Sequence, residues 1–198
     1  MARNIEAVCF DMDGTITVPV LDFLGIKAEI GAPLERGLLE SIALMDDARR
    51  PAAEEILLRH ELAAARASSL NPGVAEALAA LASMGLKTAI LTRNCRASVE
   101  IVLQKHSLSF DAVVTREDSL PKPDPDGLLV AAWRMGVRPE ACVMVGDYEF
   151  DVAAGRAAGA LTVLYAPGGR NLRIVPDFEM RSMSELAPLV EGLLRRPA

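Results

Sequence analysis

The sequence predicts an α/β fold: a parallel sheet covered by helices on both faces, with a small helical block inserted after the first strand. Three observations predict it. Short runs rich in Val, Ile, Leu and Ala alternate with longer segments of helical periodicity. The short runs are apolar throughout and lack the in-and-out alternation of a half-exposed sheet, so they read as strands sandwiched between helices. The alternation is interrupted once, between a strand ending near residue 10 and the next one beginning near residue 87.

Taken in order, the strands are "AVCF" at 7–10, "KTAILT" at 87–92, "FDAVVT" at 110–115, "ACVMVG" at 141–146 and "LTVLY" at 161–165. Helical spacing of apolar residues marks 73–85, 95–107, 125–136 and 149–159. Three of these segments end at Gly85, Gly136 or Gly159, where a left-handed cap residue is wanted. Strand and helix alternate, which implies right-handed crossovers between parallel strands. Residues 73–85 supply the first crossover helix, which leaves 18–70 as the inserted block. Within the block, 34–45 and 51–67 are amphipathic, with Pro33 and Pro51 near their starts. The chain therefore divides into an α/β core, 1–17 and 71–198, and a helical cap, 18–70, that is either a lid over the sheet or a structural extension. The tail "SMSELAPLVEGLLRRPA" reads as a final amphipathic helix on the core.

Composition narrows the function. At 198 residues and 51% hydrophobic content, the chain can bury a substantial core, and its formal charge of −6 comes without any long basic run. Nucleic acid and anionic membranes are therefore excluded as partners, and small metabolites fit better. No stretch approaches the roughly 18 unbroken apolar residues of a membrane span, and the first residues lack a signal-peptide pattern, so the expected location is cytoplasmic. Cys9, Cys95 and Cys142 are odd in number and set in apolar or helical contexts, as reduced buried thiols would be.

Ligands of open parallel sheets bind beyond the carboxyl ends of the strands, and the polar residues closing each run form a coherent set. Asp11 and Asp13 follow the first strand, and Thr92, Arg93 and Asn94 the second. Lys122 lies in the loop "SLPKPDP" after the third, and Asp147 and Asp151 follow the fourth in "VGDYEFD". Four carboxylates converging on one edge would repel one another without a cation, and an all-oxygen set suits Mg2+, the usual partner of substrate phosphates. The same groups suit a phosphate monoester. A cation, Lys122 and backbone amides neutralise the dianion, one carboxylate attacks, and a second protonates the leaving alkoxide and later activates water.

In order and spacing, "DMDGT", "ILTRN", the lysine of "PKPDP" and "VGDYEFD" resemble the four motifs of the haloacid dehalogenase superfamily of hydrolases, over a core of about 5–165. The insertion after the first motif resembles the cap of the phosphoglycolate-phosphatase-like branch. The resemblance implies a Rossmann-like sheet with a small inserted α-helical cap, a Mg2+-dependent phosphatase activity on a small phosphorylated metabolite, and a monomer or homodimer. It also implies Asp11 as nucleophile and Asp13 as general acid and base. Thr92 would hydrogen-bond the transferring phosphoryl group, and Lys122 would neutralise it and orient Asp11. Gly14, Arg93 and Asn94 would complete its surroundings. Asp11, the Asp13 backbone carbonyl and Asp147 would ligate Mg2+, with Asp151 behind them or reaching the ion through a water. Gly14 is expected to let the backbone turn away from the metal, and Thr15 to close that turn with its hydroxyl.

Each residue also has an ordinary use: Asp13-Gly14 as a turn, Thr92 and Asp147 as helix caps, "PKPDP" as a stiff loop. It is their joint occurrence at successive strand ends that favours chemistry. A dehalogenase has no alkoxide to protonate and would not need Asp13. A phosphomutase uses the same core but is disfavoured by a cap of about 50 residues. A receiver-like signalling domain would place its Asp after the third strand, and a silent binding domain would be expected to lose Asp11 or Asp13. His60 and His106 stand outside any constellation and read as structural or surface groups. Trp133 and Met135 read as core or rim, and Arg49-Arg50 as a solvated pair that could alternatively reach an anionic leaving group.

Overall fold

The computed structural model describes residues 4–195; the outermost residues of the expected core, 1–3 and 196–198, lie outside them. Among the described residues six strands form one parallel sheet. They are β1 (Ala7–Phe10), β2 (Lys87–Leu91), β3 (Ala112–Val114), β4 (Cys142–Gly146), β5 (Leu161–Tyr165) and β6 (Phe178–Met180). Their order is β3-β2-β1-β4-β5-β6. The chain builds outward from β1 in one direction, then crosses to β4 and builds outward in the other. The crevice of such a sheet opens where the winding reverses, at the carboxyl ends of β1 and β4.

Burial explains why these segments are strands. Every residue of β1 and β4 is buried, and alternate side chains enter opposite layers. Val8, Phe10, Val143, Val145 and Val163 pack against α4 (Val74–Ser83) and α8 (Leu186–Leu194). On the same face Ile90 meets Val99 and Val102 of α5 (Arg96–His106). Cys9, Ala89, Leu91 and Met144 face the other side, against α6 (Asp126–Met135). α7 (Glu149–Ala157) lies beside it, close enough that a Cβ on Gly155 would fall 2.9 Å from the Met144 Cβ. Met135 belongs to this core, whereas Trp133 is 79% exposed, so the expectation of a core or rim position is corrected for the tryptophan. It occupies the outward side of α6, away from the stripe formed by Leu128, Ala131, Ala132 and Met135.

The insertion holds α1 (Phe23–Ile30), α2 (Leu38–Ala43) and α3 (Arg50–Ala67). Ile26, Ile30, Leu38, Ile42, Ala53 and Leu57 give it a small apolar cluster of its own. α1 was not among the expected helices, although its punctuation is plain. The Asp22 carboxylate accepts from the Gly25 amide at 2.9 Å, and Gly31 closes the helix in the left-handed region at φ 66°. The arginine pair is solvated, with Arg49 exposed and the Arg50 side chain 40% exposed, and each also donates to the backbone: Arg49 Nη2 to the Ile30 carbonyl at 3.5 Å, and Arg50 Nη2 to the Met45 carbonyl at 2.8 Å. Both guanidiniums thus close the chain ends that follow α1 and α2.

The two connections to the block run side by side. Val18 N donates to the Ser69 carbonyl and Asn71 N to the Ile16 carbonyl, each at 2.9 Å, and the Asn71 amide reaches the carbonyls of Thr15 and Thr17 at 2.9 and 3.1 Å. α3 itself belongs to both layers. Its first half carries Ala53 and Leu57 of the insertion cluster, while Ala65 packs with Met12, Ile90, Val99 and Val102.

Candidate active site

β1 ends at Phe10, and the next backbone amide, that of Asp11, donates to the Val145 carbonyl of β4 at 2.9 Å. This bond fixes Asp11 at the mouth of the central crevice. The chain then turns tightly: Thr17 N donates to the Met12 carbonyl at 2.9 Å and Gly14 N to the Thr17 carbonyl at 2.8 Å. The hydroxyl that ties the turn belongs to Thr17, bonded to Met12 O and Asp13 Oδ1 at 3.2 Å each. The expectation for Thr15 is therefore corrected, since its buried hydroxyl has no hydrogen-bond partner.

Lys122 organises the floor. Only 2% exposed, its ammonium donates to Asp11 Oδ1 at 2.5 Å, Asp151 Oδ1 at 2.6 Å and the Leu91 carbonyl at 2.8 Å. Burial alone would lower its pKa, but the Asp11 and Asp151 charges outweigh burial and raise it, so the group is a fixed cation. Asp151 sits in the first turn of α7, where its other oxygen accepts from the Tyr148 amide at 3.0 Å. A glycine at the end of β4 makes this possible, because a Cβ on Gly146 would fall 2.2 Å from that of Asp151.

Asp147 closes the group from the β4 side. The carboxylates of Asp11, Asp147 and Asp151 can present oxygens all within 4.8 Å of one another. Burial, with the Asp151 charge added, pushes Asp147 up to about 6. Burial also pushes Asp11 upward; Lys122 opposes this, and the two neighbouring aspartates add to it. Three crowded carboxylates with one buried ammonium are short of positive charge, and their hard oxygen donors fit a divalent cation such as Mg2+. Arg170 was missed from sequence: its Nη1 reaches Asp147 Oδ2 at 3.2 Å and the Asp147 carbonyl at 2.8 Å. It follows β5 in the loop "APGGR", so the strand-end rule that found the other residues, extended by one strand, would have included it.

Asp13 stands apart from that group. Its carboxylate accepts from Asn94 Nδ2 at 2.5 Å and from the Thr17 hydroxyl. Burial raises its pKa, with those two hydrogen bonds working in opposition. The expected phosphate-side residues thus separate. Thr92 is buried at the end of β2, where its hydroxyl oxygen accepts from the Asn94 amide at 3.2 Å. Asn94 turns its side chain to Asp13. Gly14, at φ 87°, is explained by Asp147, whose Cγ and Oδ2 would both lie 2.6 Å from a Cβ there. Arg93 points elsewhere. Its guanidinium makes a double hydrogen bond to Glu40 of α2 at 2.7 and 2.9 Å, donates to the Lys122 carbonyl and lies 4.9 Å from the Phe150 ring centre. The structure therefore ties it to the inserted block, which the sequence did not disclose.

The family model of haloacid dehalogenase-like hydrolases matches residues 5–159 of this chain. The chain belongs to that family. A haloacid dehalogenase-like hydrolase domain-containing protein of Arabidopsis thaliana is 33% identical to it, over 95% of this chain and 84% of the relative. A phosphoglycolate phosphatase of Vibrio vulnificus is 29% identical, over 95% and 97%. Among solved structures, a hydrolase from Pseudomonas syringae superposes with a TM-score of 0.80, covering 94% of this chain and 98% of its own at 23% identity, which is a likeness of fold. The chain is thus a haloacid dehalogenase-like hydrolase. No helix among its described residues is long and apolar enough to cross a membrane.

Proposed function

We propose that this hydrolase removes phosphate from a small phosphorylated metabolite through an aspartyl-phosphate on Asp11, with Mg2+ as cofactor and the helical block 18–70 as its cap. The observation that carries the reading is the division of labour between two aspartates two residues apart. Asp11 is held by Lys122 among the carboxylates, while Asp13 is held away from them by Asn94 and Thr17.

Lys122 fixes one oxygen of Asp11 and leaves the other to attack phosphorus. Its positive charge also lessens the repulsion between that carboxylate and the phosphate dianion. The carboxylates of Asp11 and Asp147, with the Asp13 carbonyl, would hold Mg2+, and Asp151 would hold Lys122 in place. When bound, the ion supplies charge neutralisation for the phosphoryl oxygens. Thr92 would donate its hydroxyl proton to the phosphoryl group, since that oxygen already accepts from the Asn94 amide.

Asp13 carries the proton. Burial raises both carboxyls, but the Lys122 ammonium bonds Asp11 and not Asp13, so Asp13 is the one left to keep a proton, as a general acid requires. As the ester P–O bond breaks, the Asp13 proton passes to the leaving oxygen. Asp13, now a carboxylate, takes a proton from water as that water attacks phosphorus, releasing inorganic phosphate and restoring Asp11. Phosphate release from a panel of phosphorylated metabolites, with and without Mg2+, tests this. Wild type should turn over only with the ion, and Asp11→Asn should be inactive; metal-independent turnover or an active Asp11→Asn would refute it.

A further inference from the structure

Between the inserted block and the core lies a groove of about 620 Å3. Its walls are mainly apolar, from Leu39, Ile42, Leu57 and Leu58. Cys95, which follows Asn94, and Pro121, which precedes Lys122, both line it, as does Glu40, which holds Arg93. Through Glu40, Arg93 and the Lys122 carbonyl the groove wall is joined by hydrogen bonds to the floor of the site.

The charges along the groove are one-sided. Glu40, Glu54, Glu55 and Glu117 line it, against Arg116 as the one lining cation. Arg116 is committed to the buried Glu61, and Arg93 is committed to Glu40 through both carboxylate oxygens. Glu54 and Glu55 have no cationic partner among the described residues. A carboxylate entering here would meet acidic side chains and find both guanidiniums taken, whereas a hydroxyl or ammonium would meet acceptors.

We propose that the groove binds the leaving group of an uncharged or cationic phosphate ester, and that Glu40 is the specificity-determining residue that bars carboxylate-bearing esters by occupying Arg93. This rests on the phosphatase reading above, for which the groove supplies the leaving-group site. Selectivity then arises in part from repulsion of the wrong substrate. The relative named phosphoglycolate phosphatase is thereby a poor guide to the substrate of this chain.

Non-hydrolysable probes separate the two readings. Calorimetric binding of aminoethylphosphonate, hydroxyethylphosphonate and phosphonoacetate, with Mg2+ present, compares cationic, neutral and carboxylate-bearing substituents on chains of similar length. Wild type should bind the first two about tenfold or more tightly than phosphonoacetate. Glu40→Gln removes the opposing charge and one of the two acceptors that hold Arg93, which lets a ligand carboxylate compete for the guanidinium, and should tighten phosphonoacetate about tenfold, with the other two little changed. Adding Arg93→Gln should abolish that gain, and thermal unfolding of each variant reports that it is folded. Equal or tighter binding of phosphonoacetate to wild type, an unchanged ratio in Glu40→Gln, or no binding of any probe would overturn the proposal. Hydrolysis of an aryl phosphate by wild type against Asp11→Asn tests the phosphatase reading independently.

Discussion

Gly14→Ala separates the two demands made on this glycine, because its backbone and its neighbour can be perturbed unequally. At φ 87° an alanine sits in the left-handed region, at a cost of about 1–2 kcal/mol. The new Cβ would lie 2.6 Å from Asp147 Cγ, 2.6 Å from Oδ2 and 2.9 Å from Oδ1, well inside van der Waals contact. The carboxylate must therefore withdraw by about 1 Å, a displacement of the size that costs on the order of a hundredfold in rate at a preorganised site. Gly85→Ala is the control: φ there is 74° and nothing lies within 4 Å of its Cβ. Denaturant unfolding should show both variants destabilised by about 1–2 kcal/mol. Phosphate release under Mg2+ titration should show turnover per folded molecule about a hundredfold lower in Gly14→Ala, with a raised Mg2+ requirement, and unaltered in Gly85→Ala. Gly14→Ala with wild-type turnover and Mg2+ dependence would refute the assignment of Asp147 to the site.

Asp13→Asn should slow the hydrolysis of alkyl phosphates far more than that of activated aryl phosphates, whose leaving groups need no proton; equal slowing in a side-by-side kinetic assay would exclude Asp13 as the acid. Glu61, 3% exposed, accepts from the Cys95 amide at 3.2 Å and pairs with Arg116. Glu61→Ala should therefore cost about 3 kcal/mol in urea unfolding, and a loss below about 1 kcal/mol would show the pair to be dispensable. Burial works to raise the carboxyl of Asp118, but bonds from Arg134 and Thr115 outweigh it and hold the group well below the usual carboxylate range. A depressed folded-state pKa gives stability that is present above the unfolded value and lost as pH falls toward the folded one. The stability gap between wild type and Asp118→Asn should accordingly be full at neutral pH and shrink on acidification below about pH 4; a gap that widened would reverse the sign.

The strands of the sheet centre were legible because burial on both faces writes a strand as an unbroken apolar run, as in Ala7–Phe10 and Cys142–Gly146. β6 was not, since at the sheet edge only Met180 of its three residues is buried and "FEM" carries no such run. The site was legible to the extent that it lies at strand ends, which brought Asp11, Lys122, Asp147 and Asp151 together from spacing alone. Contacts made across the insertion were illegible. Nothing in "TRN" indicates that Arg93 turns to Glu40, 53 positions earlier, or that Asn94 serves Asp13, because such pairs depend on how the block sits over the core.

α3 bears on how the fold could be recombined. Its 18 residues make a rod of about 27 Å that begins in one apolar cluster and ends in another. Exchanging the insertion for that of another family member by cutting at residues 18 and 70 would remove Ala65 from beside Met12 and Val99, and Glu61 from the amide that opens α5. A workable splice would lie inside α3, between Leu57 and Glu61, keeping its last two turns with the sheet. Substrate range could then be varied by grafting a different upper half while the lower half remained part of the chemistry's foundation.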